Sequence, residues 1–268
     1  MSGQGEYGSL PVTVDVLAEQ FAACGLEAGQ TVLVHMAMSK IGWVLGGAQA
    51  IIEAFLRVLG PTGTLMMPTQ TADNTEPSYW QHPPVPESWW PIIREHTPAY
   101  DPAITPTRMM GRVAELFRTW PGVIRTSHPV GSFAALGRNA EILTAHHPLE
   151  NEFGPNSPIG QLYALDGYIL LLGVDHGNNT SLHMAEEHAV WPSKQIVQQG
   201  SAMLVNGQRQ WVTYQALDFN DDDFPQLGDQ YEAEHGIPRH RVGQAEVRFM
   251  KQRPLIDWAV GWIERNRS

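Results

Sequence analysis

The sequence predicts an α/β fold, a layered α/β/α domain around a mixed, partly parallel sheet. The first observation is a set of apolar runs of strand length, at residues 31–35, 64–67 and 168–173. Segments with apolar residues at helical spacing lie between these runs, and such alternation is typical of parallel sheets covered by helices. The third observation is Asn206-Gly207, a two-residue turn between alternating segments at 203–214, which predicts an antiparallel hairpin joined to the parallel part.

The periodicity of apolar residues places the other elements in order along the chain. Helices are predicted at residues 13–24, 48–59, 110–120, 140–145 and 255–265, with a helix end at 162–165. A further strand is predicted at 242–250, and residues 123–129 are predicted as a strand that runs into a turn. Residues 133–136 form a short apolar segment. Because no internal repeat or low-complexity linker interrupts the pattern, residues 1–268 are expected to form a single domain.

One insert, at residues about 68–107, breaks this pattern. It is rich in proline and carries Trp80, Trp89 and Trp90. A loop of this length inside a compact domain is usually functional or disordered, and the tryptophans argue against disorder. Two interpretations stay open: an ordered lid or wall of a site, or an excursion that covers one face of the sheet.

Composition excludes several classes of protein. Of 268 residues, 43% are hydrophobic and 17% charged, which is typical of a globular chain, and the formal net charge is −11. Nucleic-acid binding needs clustered Lys and Arg, so it is not expected. The acidic balance suits simple solubility or a cationic ligand. No targeting segment and no apolar run near the ~20 residues of a membrane helix is visible, so a cytoplasmic protein without a membrane partner is predicted; its one cysteine, Cys24, excludes an internal disulfide.

The stretch that follows the strand at 168–173 is the main candidate for chemistry. Good helix N-cap residues at 178–181 lead into a predicted helix that begins near Thr180 and carries His183, Glu186 and Glu187. A histidine beside carboxylates suits a general base; the competing interpretation is an ordinary ion pair on a helix surface. The spacing in HMAEEH matches neither HExxH nor HxxEH, so no metal site is predicted.

Other polar segments could complete a site. The acidic run of Asp218, Asp221, Asp222 and Asp223 is either a solvated loop or the source of a carboxylate that orients His183. The loop with Ser39, Lys40, Ile41 and Gly42 precedes a helix and could hold an anion, as could the segment with Thr107, Arg108 and Met109. His128, in RTSHP, is either a hydrogen-bonded loop histidine, which we favour, or a ligand contact.

Six stretches in the right order resemble the aminoglycoside N3-acetyltransferase family, also called antibiotic N-acetyltransferases. They are VHMAMSKIG, GPTGTLMMPT, AYDPAITPT, RTSHPVGSFAALG, NSPIGQLYALDGYILLLGV and NNTSLHMAEEHA. The resemblance implies a single α/β/α domain that uses acetyl-coenzyme A, held by Ser39–Gly42 and by the segment of Thr107, Arg108 and Met109. It also implies that His183 is the catalytic base, that Asp222 (or, as second choice, Asp218) orients it, and that the Thr180 hydroxyl lies near the thioester.

The acceptor implied by the resemblance is a cationic amine, the 3-amino group of an aminoglycoside. Residues predicted to attract it are Asp73, Glu186, Asp221, Asp223 and His128. The Trp-rich stretch at 74–100 differs from the insert of members active on these drugs, so an acyltransferase for another metabolite amine stays an alternative. A non-catalytic binder of a cationic ligand and a metal-dependent hydrolase are further alternatives, and the assembly, monomer or homodimer, is left open.

Overall fold

A computed structural model describes residues 10–81 and 83–268 of the chain. Its strands are β1 (Thr31–Met36), β2 (Thr64–Pro68), β3 (Ile124–Arg125), β4 (Phe133–Gly137), β5 (Tyr168–Leu172), β6 (Ile196–Val205), β7 (Gln208–Leu217), β8 (Arg239–Val242) and β9 (Ala245–Lys251). Its helices are α1 (Val14–Ala23), α2 (Gly47–Leu59), α3 (Trp90–His96), α4 (Gly111–Phe117), α5 (Ala140–Thr144), α6 (Pro158–Ala164), α7 (Leu182–His188), α8 (Phe224–His235) and α9 (Gln252–Asn266). These bounds agree with the predicted helices and apolar strands to within a few residues.

A seven-stranded sheet in the order β3-β4-β2-β1-β5-β9-β8 forms the centre of the fold. The three central strands are parallel, since β1 pairs with β2 and with β5 in that sense. The flanking strands are antiparallel, β4 on β2 and β9 on β5. The prediction of a mixed, partly parallel sheet is therefore confirmed.

Side chains alternate between two hydrophobic cores, one on each face of this sheet. On β1, Leu33 enters the core built with α5 to α9, whereas Val32 and Val34 enter the core built with α1, α2 and α4. Strands that are buried on both faces read as continuous apolar runs, which is why their positions could be predicted. The three-layered α/β/α arrangement is confirmed.

The hairpin differs from its prediction, because β6 and β7 form a separate two-stranded sheet. Its free backbone groups are satisfied by the proline-rich insert instead of the central sheet. The Asn74 side chain donates to the Ala202 carbonyl (3.0 Å) and accepts from the Ala202 amide (2.8 Å), and the Tyr100 amide also donates to Ala202 O. Arg209 on the hairpin donates back to Thr97 O of the insert.

Two further elements were not predicted as the structure has them. Residues 242–250, expected as one strand, are the end of β8 and most of β9, joined by a tight turn at Gly243, whose φ is +56°. Helix α8 follows the acidic run directly. Within the two described ranges, no helix combines the length and the apolar character that crossing a membrane requires.

Candidate active site

A pocket of about 360 Å³ opens where the parallel strands β1, β2 and β5 end at their carboxyl termini. The connection after β1 packs α2 on one face of the sheet, and the connection into β5 packs α6 on the other. Crevices at such switch points are the usual ligand sites of α/β sheets. The polar side chains that line the pocket are His35, Gln70, Arg108, Asn178, Asn179, Thr180, His183 and Asp221.

The chain between β5 and α7 positions His183 in this pocket. A short turn at His176–Asn178 is capped by Asp175, whose carboxylate accepts the Gly177 amide at 3.0 Å. Helix α7 then starts at Leu182, so that His183 lies in its first turn with 16% of its side chain exposed. The rings of Phe153, Phe219 and Phe224 lie 4.9, 4.9 and 5.0 Å from the imidazole and restrict its orientation.

Glu186, one turn further along α7, holds the imidazole. Its Oε2 lies 2.5 Å from His183 Nδ1, and its side chain is fully buried. The other oxygen accepts the Asn220 amide at 3.0 Å and the Arg267 guanidinium at 2.5 Å. An ionised carboxylate can only accept hydrogen bonds, so Nδ1 carries the proton and Nε2 is left as the acceptor. This is the arrangement that a general base needs.

The structure corrects the prediction that an aspartate of the acidic run orients His183. Asp222 and Asp218 are both exposed. The Asp222 backbone amide donates a hydrogen bond to Asn220 Oδ1, and the Asp218 backbone amide donates one to Gln195 O. The aromatic residues of this run, Phe219 and Phe224, turn towards the imidazole, so the neighbouring carboxylates turn away. Glu186 at i+3 reaches Nδ1 from the same helix without ordering a loop.

Three of the residues predicted to contact an acceptor also take other places. Glu186 is buried behind His183, and Asp223 forms an ion pair with Arg267 at 2.6 Å, so neither carboxylate is free to face a ligand. His128 is buried as well. Asp221 lies in the pocket wall, and Asp73 is exposed and 3.3 Å from Arg108, where both can meet an approaching cation.

The segment from Thr107 to Met110 connects the pocket to a second recess. Arg108 and Met109 line the pocket, and Thr107, Met109 and Arg112 line a neighbouring recess of about 590 Å³. Thr107 is anchored by two 2.8 Å hydrogen bonds to Glu115, and Met109 has a left-handed backbone with φ +59°. A long, phosphate-bearing ligand could therefore lie across this segment with one end at His183.

The loop after β1 was predicted to hold an anion through Ser39, Lys40, Ile41 and Gly42. Ser39 and Lys40 are exposed in a 3-10 turn, and Gly42 has φ +98°. Ile41 is fully buried in the core, so it can offer a ligand only its backbone. Thr180 is buried and lines the pocket together with His183.

A second histidine in the pocket, His35, did not stand out in the sequence as part of the site. It is buried at the end of β1, and its Nε2 has no hydrogen-bond partner in the described chain. Burial, with the charge of His183 as a smaller cause, lowers the pKa of His35 to about 3. His35 is therefore neutral under all ordinary conditions.

His128, Glu152 and Glu187 form a cluster that was not predicted from the sequence. His128 Nδ1 accepts the Gly131 amide at 2.8 Å, so its Nε2 carries the hydrogen and faces Glu152 Oε2 at 3.3 Å. Burial raises the pKa of Glu152 to about 8, with a further contribution from the charge of Glu187, and burial raises the pKa of Glu187 to about 7. Glu187 Oε1 has no partner within the described residues. These carboxyl groups can exchange a proton for an ammonium group of a ligand.

Glu152→Gln is expected to change how stability depends on pH. In the folded state Glu152 keeps its proton up to about pH 8, whereas the unfolded chain releases it near 4.3. The parent therefore loses stability as pH rises between these values, and the glutamine variant escapes that loss. Its melting temperature relative to the parent should rise by at least ~2 °C between about pH 5 and pH 8.5.

Thermal melts across that range check this expectation. Glu150→Gln is the matched control, since Glu150 is a neighbouring exposed carboxylate. The difference between its melting temperature and that of the parent should be the same at every pH. Parallel pH curves for the parent and for Glu152→Gln would contradict the raised pKa.

Metal-ligand geometry is not found in the described part of the chain. No three His, Cys, Asp or Glu side chains among residues 10–81 and 83–268 lie close enough together to hold an ion.

Comparison with known proteins gives the family of the chain. A family model described as Aminoglycoside 3-N-acetyltransferase matches residues 33–264. The chain is 42% identical to the SPbeta prophage-derived aminoglycoside N(3')-acetyltransferase-like protein YokD of Bacillus subtilis (strain 168), with 98% of this chain and 96% of that protein covered. It is 38% identical to aminoglycoside N(3)-acetyltransferase IX of Micromonospora chalcea, with 95% and 94% covered.

Solved structures agree with the sequence relatives. The crystal structure of YokD superposes with a TM-score of 0.91 at 41% identity, covering 96% of this chain and 100% of that one. The structure of AAC-IIIb as a binary complex with CoASH superposes with a TM-score of 0.86 at 30% identity, covering 97% and 98%.

The fold, the histidine–carboxylate pair and these relatives together define an enzyme, an acetyltransferase. More specifically, the chain belongs to the aminoglycoside 3-N-acetyltransferase family.

Proposed function

We propose that the protein transfers the acetyl group of acetyl-CoA to the 3-amino group of an aminoglycoside, with His183 as general base. The observation that carries this proposal is the pairing of His183 Nδ1 with Glu186 at 2.5 Å, which leaves Nε2 free at the pocket. The acetyltransferase family and a relative solved with CoASH support the donor.

The reaction follows from this geometry. The acceptor amine attacks the thioester carbonyl, and His183 Nε2 takes the proton that the nitrogen loses. Glu186 stabilises the resulting imidazolium, as a triad carboxylate does. The tetrahedral intermediate collapses by breaking the C–S bond, and the proton neutralises the departing thiolate of CoA. We assign the Thr180 hydroxyl, on a residue that lines the same pocket, as a donor to the oxyanion.

No acyl-enzyme is required. Cys24 is packed in the core with α1 and α2, away from the pocket, and burial raises its pKa to about 11. A buried, protonated thiol is a poor nucleophile, so direct transfer from donor to acceptor is the simpler route.

We assign the donor to the side of the pocket formed by Arg108 and Met109, together with Thr107 of the neighbouring recess and the loop Ser39–Gly42. Lys40, Arg108 and Arg112 supply positive charge for the phosphates. In this assignment Ile41 and Gly42 contribute their backbone, because the Ile41 side chain is buried.

We assign the acceptor to the acidic side of the pocket. Asp221 lines the pocket and remains as a predicted contact, and Asp73, paired with Arg108 at the boundary with the donor side, remains as a second one. The net charge of −11 favours the approach of a polycation. The chain is proposed to act as one domain, with the insert and hairpin as the wall of this acceptor side, and to work in the cytoplasm.

A thiol-release assay with acetyl-CoA tests the function. Aminoglycosides that carry a 3-amino group should release CoA thiol at rates well above background hydrolysis, and an analogue lacking that amine should not. Release with simple metabolite amines but no aminoglycoside would favour the alternative acyltransferase. Binding of acetyl-CoA or an aminoglycoside by calorimetry without any release would favour a non-catalytic binder.

A further inference from the structure

Arg267, the residue that follows α9, lies next to the catalytic pair. Its Nη1 is 2.5 Å from Glu186 Oε1, and its Nε and Nη2 donate to Asp223 at 2.8 and 2.6 Å. Nη2 also donates to the Asn220 carbonyl at 2.7 Å. Only 9% of the side chain is exposed, so the guanidinium is an almost buried cation between two carboxylates.

This residue is held in place by its backbone and by aromatic rings. The Arg267 amide donates to Ile263 O at 2.9 Å, which continues α9 by one hydrogen bond. The guanidinium lies 5.2 Å from the Trp191 ring and 5.8 Å from the Phe224 ring. A planar guanidinium group fixed in this way can pair with carboxylates through two parallel hydrogen bonds, which a lysine ammonium group cannot do.

Glu186 needs a cation beside it. It is fully buried, with the carboxyl of Glu187 next to it in the chain and that of Asp223 across the guanidinium. The other nearby cation, Lys194, donates its three hydrogen bonds to the backbone carbonyls of residues 186, 187 and 189. Among the described residues, Arg267 is therefore the cation in contact with the Glu186 carboxylate. A buried carboxylate without such a partner tends to take up a proton or to turn away.

We propose that Arg267 is a positioning residue for acetyl transfer, which fixes Glu186 and, through it, the orientation and proton of His183. The inference rests on the proposed function, since it assigns His183 as the base. It goes beyond the family match, which ends at residue 264. The simpler competing interpretation is a tether that only fastens the end of α9 to the start of α8.

Arg267→Gln tests the proposal against Arg265→Gln, which removes the same charge from an exposed residue two positions earlier. Arg267→Gln should lower kcat by about 10- to 100-fold, as loss of an outer partner of a functional histidine does at metal sites. Its KM for acetyl-CoA should stay within about threefold, because the donor contacts are intact. Arg267→Lys should recover part of the loss, and Arg265→Gln should behave as the parent.

A substrate-free measurement separates this inference from the proposed function. The ring of His183, observed by NMR in labelled protein, should titrate at a lower pH in Arg267→Gln, because a Glu186 carboxyl that has taken up a proton or turned away no longer stabilises the imidazolium. His35, Glu187 and Lys194 also face this region and are unchanged in both proteins. If the parent transfers no acetyl group but the titration moves, the proposed function fails while the link from Arg267 to His183 stands.

The double variant Glu186→Gln/Arg267→Gln covers the case in which the single variant does not fold, since it leaves no unpaired charge at this pair. Compared with Glu186→Gln alone, it should lose less than about threefold in kcat, because Arg267 acts through Glu186. An equal loss from Arg267→Gln in both backgrounds, or an unchanged or higher His183 titration in the folded single variant, would overturn the proposal.

Discussion

His183→Ala is expected to reduce kcat for acetyl transfer by about 10²–10⁴, the range typical of a lost general base. In the proposed mechanism the imidazole receives the proton of the attacking amine, since His183 lines the pocket and its Nδ1 is held by Glu186. Thiol release at saturating acetyl-CoA and acceptor measures the loss. In the parent, the rate should also fall on the acid side of the profile as the imidazole is protonated, and this acid limb should disappear from the residual rate of the variant.

His188→Ala is the control for this variant, since His188 is an exposed histidine on the same helix. It should keep parental turnover to within about twofold, as surface substitutions usually do. The assignment of the base to His183 fails if His183→Ala stays within a few-fold of the parent while remaining folded.

Glu186→Gln should have the second-largest effect, a loss of about 10²–10⁴ in kcat comparable to that of a triad carboxylate. A glutamine keeps the shape of the side chain but can present its NH₂ group to His183 Nδ1. The imidazole would then carry its hydrogen on Nε2, which is the wrong tautomer for accepting a proton from the amine. Turnover with melting curves measures this, because the substitution also weakens the contact with Arg267.

Asp222→Asn decides between the two candidate partners of His183. Asp222 is exposed and it is Glu186 that contacts the imidazole, so turnover should stay within about twofold of the parent. A large loss for Asp222→Asn together with full activity for Glu186→Gln would restore the aspartate as the orienting group.

The central strands and most helices could be predicted because their residues are buried in a regular pattern. Leu170, Leu171 and Leu172 enter both cores and give a continuous apolar run. Asn206-Gly207 located the hairpin because a type of turn with positive φ at both residues needs that chemistry. Where the hairpin would pair could not be predicted, since it depends on Asn74 and Tyr100, more than 100 positions earlier.

Helix α8 was missed although local signals existed. Pro225 stands in its first turn, and Phe224, Leu227 and Tyr231 recur at helical spacing. Because the acidic run just before it is typical of a loop, the helix that follows was not predicted. The edge strand β8, RHRV, is polar because it is mostly exposed, so it carries no apolar signature.

The candidate site was predicted in part. His183 was expected in a site and lines the pocket, but its carboxylate partner was expected from a distant loop, whereas Glu186, three positions on, makes that contact. Glu152, His35 and Arg267 come from separate parts of the chain and meet His183 or its neighbours only in the folded protein. The spacing of residues in the sequence does not predict such long-range contacts. It does predict that residues i and i+3 of one helix lie close together.

The hairpin of β6 and β7 is bonded to the insert through Asn74 and Arg209 and is absent from the seven-stranded sheet. Because these two segments hold each other through such bonds, a substitution at Asn74 should loosen the hairpin before it loosens the pairing of β1 with β2 and β5.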